Sequence, residues 1–146
     1  MRATQDPLTH QEQANPAPEP VKLNYNPEHL NVVRNGLIGV TTGGTSTQVF
    51  AGAPYTSAGK TGTAQAVTIG QKDKYNASKL AEHQRDHALY MAFAPADAPR
   101  IAVAVIVENA GFGAAHAAPI ARRVFDYWLL DQYPSPEDIA ATQQGQ

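Results

Sequence analysis

"SAGKTGTAQ", residues 57–65, can be read in two ways. Gly59-Lys60-Thr61 could close a phosphate-binding loop, or Lys60-Thr61-Gly62 could open a strand that offers its edge to an extended chain. A phosphate loop needs one more glycine, separated by four residues from its Gly-Lys-Thr, because that spacing curls backbone N–H groups around the anion and feeds a helix. Pro54 stands at that position, and Gly52 is two residues too far back. Downstream, "KTGTAQAVTI" carries Val67, Thr68 and Ile69 without a helical stripe, so a strand is expected from about 60 to 69. No helix N-terminus then follows for a phosphate, and the nucleotide reading falls.

Upstream, "NPEHLNVVRNGLIGV" opens with Asn26 as an N-cap and Pro27 at the first helical position. Leu30, Val33, Leu37 and Ile38 recur at helical spacing, so an amphipathic helix is expected at about 27–40. "TTGGTSTQ" reads as a glycine-broken loop and "VFAGAPY" as a short apolar link into the lysine strand. After the strand, "GQKDKYNASKLAEHQRD" is a polar surface connection, with room for a helical turn or two after Asn76. "HALYMAFAPA" and "RIAVAVIVEN" are apolar at nearly every position, which predicts strands at about 87–95 and 100–109 covered on both faces. The short turn between them, containing Asp97, predicts an antiparallel pair. "AGFGAAHAAPIARRVFDYWLL" predicts a closing helix at about 114–130, with Ala117, Ile120, Val124, Tyr127 and Trp128 on the packed face and Arg122, Arg123 and Asp126 on the other. The fold class is α+β.

At 146 residues the chain has length for one modest core. Four prolines in the first twenty residues and "YPSPED" near the end divide it into an extended Pro-rich segment at 1–24, a packed body at 25–133 and a flexible tail at 134–146. Eleven basic against thirteen acidic residues, with no basic cluster longer than Arg122-Arg123, leave nucleic acid little to bind. No run of about twenty apolar residues spans a bilayer, and "MRATQDPLTH" lacks the apolar stretch of a signal peptide. The absence of cysteine excludes disulfides and thiolate chemistry.

Lys60-Thr61-Gly62 followed by Thr63 resembles the K-T-G element of penicillin-recognising serine acyltransferases. Three letters are weak by themselves. With "AGKTGTAQ", a polar insertion, "RDHALYMAFAP", "RIAVAVIVENAGFG" and a closing helix, the segment from about Tyr25 to Leu130 is similar to the C-terminal part of the transpeptidase domain of class B penicillin-binding proteins, closest to the elongation-specific penicillin-binding protein 2 group.

The resemblance implies a set of roles. Lys60 would hold positive charge beside the nucleophile and the substrate carboxylate, and the hydroxyls of Thr61 and Thr63 would hydrogen-bond that carboxylate. Gly62, without a side chain, would let an extended peptide lie against the strand. The Thr63 backbone N–H would supply half of an oxyanion hole. The reaction implied is peptidoglycan D,D-transpeptidation on stem peptides ending in D-Ala-D-Ala, with β-lactams as mimics of the acyl donor. The resemblance implies no metal and no organic cofactor. It places the parent protein on the periplasmic face of the inner membrane, among elongation-complex membrane proteins.

The family's nucleophile sits in an S-x-x-K motif, followed by S-x-N, both well ahead of K-T-G. Ser57-Ala58-Gly59-Lys60 spells S-x-x-K, but its lysine is already the K-T-G lysine, and a glycine entering a strand does not build the helical turn that motif needs. No S-x-N precedes Lys60. The expectation is that this chain holds no nucleophile and is inactive alone, with a non-catalytic fragment that self-associates or complements a missing half as the alternative. His83 and His87 have the four-residue spacing of two zinc ligands on a helix, yet no glutamate lies between them in the H-E-x-x-H manner, so a solvated pair is expected. Tyr127-Trp128 reads as core packing. Lys72, Lys74, Lys79 and Arg85 read as a solvated loop, with the rim of an active-site groove as the other reading.

Overall fold

The computed structural model describes residues 3–68 and 76–136. Its centre is a three-stranded antiparallel sheet in the order β3-β4-β5, built from β3 (Ala58–Ala64), β4 (His87–Ala94) and β5 (Ile101–Val107). The register sets Thr61 opposite Tyr90, Gly62 opposite Leu89 and Ala92 opposite Val103. β3 begins two residues before the expected strand and stops at Ala64; Val67 and Thr68 lie outside it, and Ile69 falls outside the described residues. Its exit is fixed by the buried Asp86, whose Oδ1 accepts from the Ala66 N–H at 3.4 Å.

Helix α1 (Pro27–Thr42) forms where its cap and first turn predict: Asn26 Oδ1 accepts from the Glu28 N–H at 2.9 Å, and Pro27 occupies the position that needs no donor. It is tied to the sheet by polar contacts. Arg34 donates from Nε (2.9 Å) and Nη2 to the Ala96 carbonyl, and the Thr41 hydroxyl donates to the Ser57 carbonyl at 2.7 Å. Leu37 and Ile38 are partly buried, whereas Leu30 and Val33 of the expected apolar face stand exposed. A short helix, α2 (Thr47–Phe50), occupies part of the stretch read as loop and link, and delivers Phe50 to the core.

The closing helix is in two parts, α3 (Gly113–His116) and α4 (Ala118–Leu130). Pro119 falls in the first turn of α4, where its missing N–H costs nothing to α4 but cannot continue the hydrogen-bond ladder of α3. The packed face of α4 also differs from expectation. Ala118, Ala121 and Phe125 are fully buried, while Ile120, Val124, Tyr127 and Trp128 are exposed. The reason is closeness: alanines on both sides (Ala88, Ala92 and Ala94 of β4; Ala117, Ala118 and Ala121 of the helix pair) bring α4 against the sheet on its small residues. Phe50, Tyr90 and Phe125 fill the remaining space as an aromatic cluster, with centroids 6.1 and 6.3 Å apart.

Arg122 and Asp126, expected in solvent, are half-buried partners. Arg122 Nε lies 2.8 Å from Asp126 Oδ2, its Nη1 donates to the carbonyls of Val49 and Ala51, and the Tyr55 hydroxyl donates to Asp126 Oδ1 at 2.7 Å. The network fastens the link between α2 and β3 to α4.

Along β5, Ile101, Val103, Val105 and Val107 face the core while Ala102, Ala104 and Ile106 are exposed. The continuous apolar run predicted cover on both faces; in this chain one face is covered. Residues 3–14 add a hairpin, β1 (Ala3–Gln5) paired with β2 (Glu12–Ala14), exposed throughout. Asp6 organises its turn by accepting from the Leu8 and Thr9 N–H groups.

Candidate functional site

Lys60-Thr61-Gly62-Thr63 lies within β3, at an edge of the sheet, and among the described residues only β4 pairs with that strand. Side chains alternate along a strand, so Lys60 and Gly62 leave from one face and Thr61 and Thr63 from the other. Thr61 and Thr63, the two expected carboxylate ligands, are therefore on the same side. Lys60 is exposed and its Nζ donates to the Thr61 carbonyl at 2.6 Å.

The strand is held in place from behind. Tyr90, opposite Thr61, runs its ring under Gly59 so closely that a β-carbon there would collide with the phenol oxygen. The buried hydroxyls of Tyr90 and Ser46 share a hydrogen bond of 2.9 Å, and burial pushes the Tyr90 phenol above its ordinary range while the Ser46 bond opposes the shift. A β-carbon on Gly113, the first residue of α3, would collide with the carbonyl oxygens of Gly62 and Leu89. At Gly62 itself a β-carbon would stand 3.2 Å from the Leu89 β-carbon.

Ser57 is buried immediately before β3, and the run Ser57–Lys60 contains no helical turn. In extended chain, residues three apart are about 10 Å from one another, too far for a serine and lysine to share a proton. His87 lies in β4, where its Nδ1 accepts from the Asn109 N–H at 3.0 Å. Among the described residues no three His, Cys, Asp or Glu side chains converge as a metal site. Two short 3-10 turns, Ala77–Lys79 and Glu82–Gln84, lead up to β4; Arg85 follows them half-buried, Lys79 is exposed, and Lys72 and Lys74 fall outside the described residues.

Sequence reasoning missed the residues that brace K-T-G. Thr45 hydrogen-bonds Thr61 through their hydroxyls at 3.0 Å, from a loop read only as a glycine-broken connection. The paired glycines before Thr45 were the available signal, because they mark a tight turn; nothing local says where that turn lands. The turn also borders an open cleft of about 620 Å³, whose opposite wall is Phe112, Ala114 and Ala115.

Comparison with known proteins places these features in context. The penicillin binding protein transpeptidase domain family matches residues 3–126. Peptidoglycan D,D-transpeptidase MrdA of Haemophilus influenzae is 47% identical over 94 residues, which is 64% of this chain and 14% of that protein. The MrdA protein of Acinetobacter baumannii is 45% identical over 117 residues, 79% of this chain and 17% of the relative. Among solved structures, Pseudomonas aeruginosa PBP2 in complex with WCK 5153 has a TM-score of 0.64 at 38% identity, covering 88% of this chain and 26% of that one. PBP2 in its complex with MreC from Helicobacter pylori has a TM-score of 0.58 at 26% identity, over 77% of this chain and 20% of the other. The chain thus spans about a sixth of the length of the curated relatives it matches.

Proposed function

The chain belongs to the penicillin-binding protein transpeptidase family, and from that premise we propose that it supplies the K-T-G strand of a peptidoglycan D,D-transpeptidase of the penicillin-binding protein 2 type. The observation that carries the reading is the edge of β3 that no described strand covers. It bears Lys60, Thr61, Gly62 and Thr63 in order, so an extended stem peptide can add to the sheet as a further strand with Gly62 at the closest approach.

The chemistry is acyl transfer. A serine from an S-x-x-K element that is not Ser57 attacks the penultimate D-Ala carbonyl of the donor stem, and terminal D-Ala leaves. An amine of a neighbouring stem then resolves the acyl-enzyme; a β-lactam, whose ring opens without releasing a leaving fragment, stays attached. In this chain Lys60 contributes positive charge, Thr61 and Thr63 receive the donor carboxylate, and the Thr63 N–H meets the developing oxyanion, a contribution of about 3–4 kcal/mol in comparable sites. The parent acts at the periplasmic face of the inner membrane, where the amines and stems of peptidoglycan are found. No helix among the described residues is long and apolar enough to cross a membrane, so membrane attachment would come from another part of that protein. The complex of Helicobacter pylori PBP2 with MreC supports elongation-complex proteins as partners of the parent.

The test is intact-mass spectrometry of a complete transpeptidase domain containing these 146 residues, after incubation with benzylpenicillin. One acyl adduct per chain is expected, slowed by orders of magnitude in Lys60→Ala with the fold retained. Acylation of Lys60→Ala at the normal rate would remove this strand from the site.

A further inference from the structure

Three consecutive residues after α1 are each committed to a different contact. Gly44 is packed so tightly on the helix end that a β-carbon would stand 2.8 Å from the Val40 α-carbon. Ser46 is fully buried; its N–H and hydroxyl both reach the Val40 carbonyl, at 3.1 and 3.2 Å, and the hydroxyl also meets Tyr90. Between them Thr45 extends to Thr61. Thr61 and Tyr90 are cross-strand partners, so two adjacent side chains of one turn bind both members of a single pair on the K-T-G strand and its neighbour. A turn that only needed to connect α1 to α2 requires none of this.

The consequence lies in the hydroxyl protons. Thr61 has one proton and can give it either to Thr45 or outward. If Thr45 donates, the Thr61 oxygen is satisfied as an acceptor and its proton is free for an anion, and such a chain of hydroxyls polarises toward the charge it ends on. We propose that Thr45 is a positioning residue for the acyl donor: it donates to Thr61, holds that hydroxyl in one rotamer and directs its proton at the carboxylate of the stem peptide or β-lactam. The assignment rests on the transpeptidase reading above. It makes the carboxylate pocket a product of two distant segments, the turn after α1 and the edge strand.

The experiment measures acylation efficiency of the complete domain by benzylpenicillin and by its methyl ester, which lacks the anion. Thr45→Val is expected to lower the efficiency about tenfold for the acid, because the neutral hydrogen bond that fixes the Thr61 hydroxyl toward the carboxylate is lost, and less than about twofold for the ester. Thr45→Ser, which keeps the hydroxyl, recovers most of the loss. In a Thr61→Val background, Thr45→Val costs nothing further, because its route to the ligand is already gone. Equal losses for acid and ester, an undiminished loss in the Thr61→Val background, or no loss at all would each overturn the proposal while leaving the transpeptidase reading intact. A wild-type domain that takes no acyl group from either compound would instead overturn that reading, and this one with it.

Discussion

Gly113 lies against Gly62 with no room for even a methyl group between them: a β-carbon on Gly113 would meet the Gly62 and Leu89 carbonyl oxygens and stand 3.1 Å from the Gly62 nitrogen. The obstacle is backbone on both neighbours, which cannot swing aside as a side chain can. Gly113→Ala must therefore displace either α3 or the K-T-G strand. In the complete domain we expect a loss of about 1–3 kcal/mol in stability, as for other overpacked sites, together with slower penicillin acylation. Melting and acylation rates measured on the same preparation check this; a variant normal in both would show that the strand does not depend on that contact.

Gly62→Val separates crowding from obstruction. The new side chain would press on Leu89, where a β-carbon already comes within 3.2 Å, and would also change the edge at which we propose that a peptide adds. In a Leu89→Ala background the stability cost of Gly62→Val should shrink while penicillin labelling stays lost. Recovery of labelling along with stability would argue that substrate never needed the bare edge.

Tyr55 gives the domain a defined alkaline limit. Burial raises its phenol above the ordinary 10.0, and the hydrogen bond to Asp126 and the charge of that carboxylate add to the rise, while Arg122 opposes it. Tyr90 shifts in the same direction through burial. A folded-state value above the unfolded one means that the stabilisation is complete below about pH 10 and is lost as pH rises from there through the folded values. Melting temperature should accordingly fall above about pH 10, and less steeply in Tyr55→Phe. Identical alkaline slopes in the two proteins would exclude Tyr55 as a source.

The 146-residue chain by itself should neither react with penicillin nor remain a simple monomer. Met91 and Ile106 are 52% and 65% exposed on the open face of the sheet, and Leu30, Val32 and Val33 are exposed on α1. Both β3 and β5 present unpaired edges among the described strands. Intact mass after β-lactam treatment and light scattering are the checks. A stoichiometric adduct would reveal a nucleophile within the chain, and a stable monomer would show that the covered face of the sheet is enough to hold the fold in solution.

What the sequence determined by itself was local and chemical. Pro54 in place of a glycine excluded a phosphate loop, Asn26-Pro27 started α1, and unbroken apolar runs marked β4 and β5, because caps, glycines and strand patterns act over a few residues. The K-T-G residues were legible for the same reason: Lys60, Thr61, Gly62 and Thr63 are consecutive positions on one strand. The tertiary structure decided everything that depends on distance along the chain. The period of α4 offered Ile120, Val124 and Tyr127 as a packed face as readily as Ala118, Ala121 and Phe125, and only an alanine-lined sheet selects the second. Thr45 meets Thr61 from sixteen residues away and Gly113 meets Gly62 from fifty-one away, contacts that no local pattern encodes. They exist because close packing of α3 and the turn after α1 on β3 leaves room for a hydroxyl at one point and for no side chain at the other.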